Sequence, residues 1–266
     1  MSTGIRGKQQ ETAWTHPSVR ALGDQNLIGV IQERARSKVA EASAKGWSGP
    51  PFDPFELADL WGIRTVPRDD LRDARLIAEA GNLMIEYNPN RPVQRVRFSV
   101  AHELAHALFP DAASEPRHRL LSEERRGDEW QLELLCNVAA AELLMPADAF
   151  PDLAAAPLEI EKLLELRQKY EVSTEALVLR VVDRSSEPAA AVAAARLEDE
   201  SGPLFRLDYL AENNLSLGVG RGATIDSRVL ARCTAVGFTN SGIEVWGGSP
   251  LHVQAIGIPA YPGDLF

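Results

Sequence analysis

Phe98–Phe109 reads FSVAHELAHALF and is the most informative segment of the chain. It places His102, Glu103 and His106 in the pattern H-E-x-x-H among small or apolar neighbours (Val100, Ala101, Leu104, Ala105, Ala107, Leu108). Positions four apart share one face of an α-helix. Two imidazoles so spaced can grip one Zn²⁺ from the same side. Glu103, beside the first histidine, is placed to deprotonate a metal-activated water rather than to bind the metal. The apolar surroundings predict a buried helix, where two histidines and a glutamate need a reason to be. Taken alone, each histidine also reads as an ordinary hydrogen-bonded core residue.

A third ligand is available downstream. Trp130–Pro146, WQLELLCNVAAAELLMP, predicts a second apolar helix that Pro146 ends. Glu129, Glu133, Asn137 and Ala141 recur every four residues and form one stripe. Glu133 sits among Leu132, Leu134 and Leu135, a costly place for a lone carboxylate. Ligating the metal would offset that cost, so Glu133 is the preferred ligand. Glu129 is the alternative, and a solvated stripe suits it better.

AHELAHALF followed by E-x-x-C-N-x-A-A-A-E-L-L-M-P resembles the ImmA/IrrE family of zinc metallopeptidases, which are HExxH proteins of gluzincin-like type. The resemblance covers about residues 25–185. It implies that His102, His106 and Glu133 are the metal ligands and Glu103 the general base. Asn137 and Leu143–Pro146 match the family's helix end. The chain departs at Cys136, where alanine is common, and at Ala139, where phenylalanine is common. Neither departure is expected to touch the three ligands.

The bulk composition is compatible with this reading. The 266 residues can bury a full core, and 45% apolar with 25% charged residues is ordinary for a globular protein. No apolar run approaches the roughly 18 residues of a membrane span, and the N-terminus shows no signal pattern. Two cysteines, Cys136 and Cys233, are too few for a disulfide framework, so a reducing cytoplasm is the expected setting. A net charge of −10 disfavours broad attraction to nucleic acid.

Residues 1–24 read as a loose polar arm. Asn26–Ala44 predicts an amphipathic helix, Gly46–Pro54 a turn, and Pro54–Gly62 a helix capped by Asp53. Ile63–Val66, Leu76–Ala80 and Gly81–Tyr87 predict short strands, and Asn88–Pro92 a turn before the metal helix. Pro157–Ser185 predicts two helices split at Tyr170–Ser173, with Ser173 capping the second. This pair has the length of a helix-turn-helix, but acidic residues balance its basic ones. Without a phosphate footprint it reads as support for the catalytic domain. Ser186–Ala195 is a linker or a further helix or strand. Leu204–Leu210, Ile243–Trp246 and His252–Ile258 are β-prone runs in a C-terminal module over 190–266.

The expected architecture is therefore α+β. A mostly helical zincin-like domain with a small mixed sheet occupies 25–185, including the helical pair 157–185. A small β-rich module follows, regulatory by analogy with the family.

For the chemistry, three protein ligands leave one zinc position for water. An oxyanion donor is also needed, and Tyr87, His118 and Arg97 are candidates. The loop Pro110–Gly127 is placed to cover the cleft. By resemblance, Leu83–Tyr87 is the edge strand that pairs with an extended substrate. Cys136 or Cys233 could occupy the fourth zinc position as a regulatory thiol, although a small buried thiol is the commoner role.

Two functions compete. The resemblance implies an intracellular endopeptidase that cleaves a regulatory protein, typically a helix-turn-helix repressor, and so derepresses stress, phage-defence or mobile-element genes. A nucleic-acid or small-molecule activator fits this role, and a membrane partner does not. The alternative is a nucleic-acid-binding transcriptional regulator with a structural or vestigial metal site. Its basis is the arginine-rich region of Arg64, Arg68, Arg72, Arg75, Arg91, Arg95 and Arg97, diluted by Asp69, Asp70 and Asp73.

Overall fold

The structure, a computed structural model, describes residues 14–23, 26–79, 81–112, 117–118, 127–151, 159–199 and 202–258. Within these, the chain is α+β, with a small mixed sheet near the histidine helix and antiparallel strands towards the C-terminus. Among the described residues, no helix is long and apolar enough to cross a membrane.

Two compact units emerge. The first comprises residues 1–45, 54–91 and 99–143, and the second 46–53, 92–98 and 144–266. This partition differs from the expected boundary after residue 185, because the helical pair groups with the C-terminal strands.

In the first unit, α1 (Pro17–Arg20) and α2 (Leu27–Ser43) precede α3 (Pro54–Leu60) and the strands β1 (Arg64–Pro67), β2 (Ala74–Glu79) and β3 (Asn82–Tyr87). Asn26 caps α2 by accepting the Gly29 N–H, which satisfies one of the orphan donors at a helix start. Ile31 and Ala35 on α2, Leu57 and Ala58 on α3, and Leu76 and Ile85 in the sheet are fully buried. The sheet order is β1-β3-β2-β4, where β4 is the short Arg117–His118. β3 pairs in parallel with β1 and antiparallel with β2. It is thus interior, which corrects its assignment as a substrate-binding edge. Local pattern gives a strand's existence but not its neighbours.

α4 (Val93–His106) carries the histidines, and α5 (Glu129–Leu144) carries Glu133. The segment 14–22 is not the loose arm that its composition suggests. Gln131 Oε1 on α5 accepts the N–H groups of Thr15 and His16, and Thr15 Oγ1 donates to Asp128. Trp14 lies 6.2 Å from the Trp130 ring, and Val19 is buried.

In the second unit, α6 (Ile160–Tyr170) and α7 (Thr174–Arg184) form the anticipated helical pair, and Ser173 caps α7 by accepting the Ala176 N–H. Tyr170 is buried between Phe52 and Phe150, with ring centroids at 6.2 and 5.5 Å. Burial raises its phenol above the ordinary value, against the pull of Arg180. Trp47 closes its loop through an Nε1–H bond to the Asp53 carbonyl. The run begun at Ser186 becomes β5 (Ala189–Asp199), paired antiparallel with β6 (Gly202–Asn213) around a bulge at Ala193/Ala194. β7 (Thr224–Ile225), α8 (Arg228–Ala231) and the hairpin β8 (Thr239–Trp246)–β9 (Ser249–Ile256) complete the unit.

Candidate active site

The candidate site lies wholly within the first unit. His102 and His106 are one turn apart on α4, and their ring centroids are separated by 5.0 Å. Both Nε2 atoms face one carboxylate on α5. Glu133 Oε2 is 3.3 Å from His102 Nε2, and Glu133 Oε1 is 3.5 Å from His106 Nε2. All three side chains are buried, at 0%, 1% and 1% exposed. Burial alone would raise the Glu133 carboxyl. The two imidazoles beside it outweigh that and hold it well below the usual carboxylate range.

These distances pass a test for a metal. Ligand atoms each about 2.0–2.1 Å from a tetrahedral zinc ion lie roughly 3.3–3.5 Å from one another. Each imidazole Nε2 lies at that spacing from one oxygen of the Glu133 carboxylate, in a buried setting, so the three side chains offer an N₂O donor set. Cys136 also enters the cluster, since His102, His106 and Cys136 each offer a donor atom within 4.8 Å of the others. Its Sγ, however, is 3.4 Å from His106 Nδ1, at the rear of that ring. Glu133 shares the Nε2 face of both imidazoles, so it fits a third ligand better than the thiol does. The structure also corrects the expectation that Cys136 leaves the ligands untouched.

Glu103 is fully buried, and its Oε2 accepts the Leu76 N–H of β2 at 2.8 Å. A strand N–H thereby fixes the carboxylate next to the first histidine. On α5, Asn137 Oδ1 contacts His102 Nδ1 at 3.0 Å. The four-residue stripe brought Asn137 to notice. No sequence signal pointed to the Leu76 contact or to the side of His106 that Cys136 takes.

The remaining candidates have partners of their own. The alternative ligand Glu129 is partly exposed and lies 3.5 Å from His16 Nε2. Tyr87 ends β3, with its ring 5.0 Å from Phe55. The His118 backbone pairs with Arg75, and the rest of the covering loop, 113–116 and 119–126, lies outside the described residues. Arg97 is buried in the second unit, where Nη2 donates to the Phe52 carbonyl at 2.8 Å. Cys233 belongs to that unit as well. Its thiol donates to the Val229 carbonyl, and burial pushes it above the ordinary thiol value.

The arginine-rich region is largely neutralised by its own acids. Arg68 pairs with Asp70 at 2.9 Å and with Glu86 at 3.1 Å, and Arg75 meets Glu86 at 2.6 Å. Arg91 pairs with Asp73 and Arg64 with Glu79.

Known proteins resemble this chain in sequence and in fold. Residues 53–182 match a peptidase family model described as the IrrE N-terminal-like domain. Over 116 residues the chain is 38% identical to the radiation response metalloprotease IrrE of Deinococcus deserti, covering 40% of this chain and 39% of that protein. The chain thus aligns with well under half of that relative's length. The fold is similar to that of a Mycobacterium tuberculosis transcriptional regulator. The TM-score is 0.51 at 18% identity, over 81% of this chain and 65% of that one. At that identity the likeness speaks for the fold alone.

Proposed function

We propose that this chain, whose residues 53–182 form an IrrE N-terminal-like domain, is a zinc-dependent, site-specific endopeptidase of the cytoplasm. Its substrate is a regulatory protein, of the helix-turn-helix repressor type, whose loss switches on stress, phage-defence or mobile-element genes. The observation that carries this reading is the buried triangle of His102, His106 and Glu133, with Glu103 held beside it by Leu76.

His102, His106 and Glu133 would hold the ion. Zinc bound there supplies Lewis acidity, which activates water and polarises a peptide carbonyl. Glu103 takes the proton of the attacking water and passes it to the leaving amine. Its hydrogen bond to Leu76 N keeps the carboxylate aimed while that proton moves. The ion-paired arginines around Glu86 support the protease over a nucleic-acid reader.

The test is Glu103→Gln in cells that carry the candidate repressor. The expected result is intact repressor and retained zinc, with a new repressor N-terminus produced only by the native enzyme. Equal loss of repressor with both proteins would reject the protease reading.

A further inference from the structure

α5 offers the histidines more than Glu133. Asn137 Oδ1 lies 3.0 Å from His102 Nδ1, and Cys136 Sγ lies 3.4 Å from His106 Nδ1. Both Nε2 atoms, at the opposite corners of the rings, face Glu133. A neutral imidazole has one N–H and one lone pair. If Nε2 gives its lone pair to a metal, Nδ1 must carry the hydrogen, and an acceptor there fixes both tautomer and ring angle. Asn137 can accept from His102 through its amide oxygen. For His106 the atom in that place is the Cys136 sulfur.

We propose that Cys136 is a positioning residue for His106, and not a metal ligand. The His106 Nδ1–H donates to Sγ, which turns the Nε2 lone pair towards Glu133. This rests on the metal-site reading above. Cys136 touches one imidazole at its rear, whereas Glu133 faces the Nε2 corner of both, so the carboxylate is the better placed third donor for an ion at Nε2. Cys136 is fully buried, so bulk water cannot replace its acceptor role. Adjacent residues on one turn thus hold the two histidines, and Glu133 precedes them on the same helix.

The test uses the full chain, with Cys136→Ala, Cys136→Ser and Glu133→Ala. Three readouts apply: zinc affinity by competition with a chromogenic chelator, the absorption of the cobalt(II)-loaded native protein, and melting of the metal-free forms. Cys136→Ala should weaken zinc binding about 10–100-fold, the usual cost of losing such a partner. Cys136→Ser, which keeps an acceptor, should recover most of it. Native protein loaded with cobalt should show no thiolate-to-metal charge transfer.

Zinc binding by Cys136→Ala as tight as native would overturn the proposal. So would a thiolate band in the cobalt protein, or a serine variant no better than alanine. A drop in metal-free melting that accounts for the lost affinity would also overturn it, by assigning Cys136 to packing. Failure of the underlying site looks different: the native protein would take up neither zinc nor cobalt, or Glu133→Ala would bind zinc like native.

Discussion

Replacing Arg180 tests whether the helical pair is a support or a nucleic-acid reader. Arg180 is 2% exposed, and its Nε and Nη2 donate to the Met145 carbonyl at 3.1 and 2.8 Å. Met145 is itself fully buried. Arg180→Leu removes a charge-assisted bond of about 1.5–3 kcal/mol and strands a buried carbonyl at about 1–3 kcal/mol. These overlap, because one event causes both. Removing a buried cation also relieves part of its desolvation cost, which works in the opposite direction. Asp183, 3.4 Å from Nη1 with its side chain about half exposed, adds little. The net expectation is about 2–3 kcal/mol for leucine, about 1 kcal/mol for lysine, which loses the fork, and under about 0.5 kcal/mol for Asp183→Ala. Urea unfolding followed by circular dichroism would order the three variants. Duplex DNA binding at low salt should be the same for native and Arg180→Leu, since the guanidinium is inside. The reasoning fails if Arg180→Leu unfolds within about 0.5 kcal/mol of native, or if it abolishes a DNA shift that the native chain shows.

Chelation should lower the melting temperature of the native protein. Saturation at about 100 times the dissociation constant contributes about 2.7 kcal/mol, and Glu133→Ala should show no such response; a native melt indifferent to chelator counts against the site. Tyr209 is pushed up to about 12 by burial and then by the Glu175 carboxylate. The folded value lies above the unfolded one of about 10, so this contribution is present below pH 10 and lost as pH climbs towards about 12; Tyr209→Phe should flatten that decline in an alkaline stability series. Glu244 has its carboxyl held below the usual value. Burial alone would raise it, but bonds accepted from Val229 N, Ser227 Oγ and Trp246 Nε1 prevail. Its contribution is present above the unfolded carboxylate value and fades as acid protonates it, so Glu244→Gln should blunt the acid-induced change in Trp246 emission.

The helices around the candidate site were readable because burial imposes their period. VAHELAHAL and WQLELLCNVAAAELL each surround their polar residues with apolar ones, and only a helix makes that pattern consistent. The strands 63–66 and 81–87 were readable too, but their order was not. Which strand flanks which is a long-range fact, so β3 passed for an edge. β5 was ambiguous for another reason. Its run of alanines has weak strand preference, and the ladder with β6 decides its state. The contacts on Nδ1 were out of reach, since adjacency on α5 says nothing about which corner of an imidazole a side chain meets. The segment at Thr15 and His16 was hidden because it is held largely by its own backbone donors.

That last feature has a practical side for anyone trimming the protein. A start point at residue 25 would discard Trp14 through Leu22. Gln131 would lose the amides that it accepts, and the Trp130 ring its neighbour, two and three residues ahead of Glu133. A shortened version would therefore open the front of the helix that delivers the carboxylate. A weak metal titration from such a fragment would reflect the cut rather than the native chain.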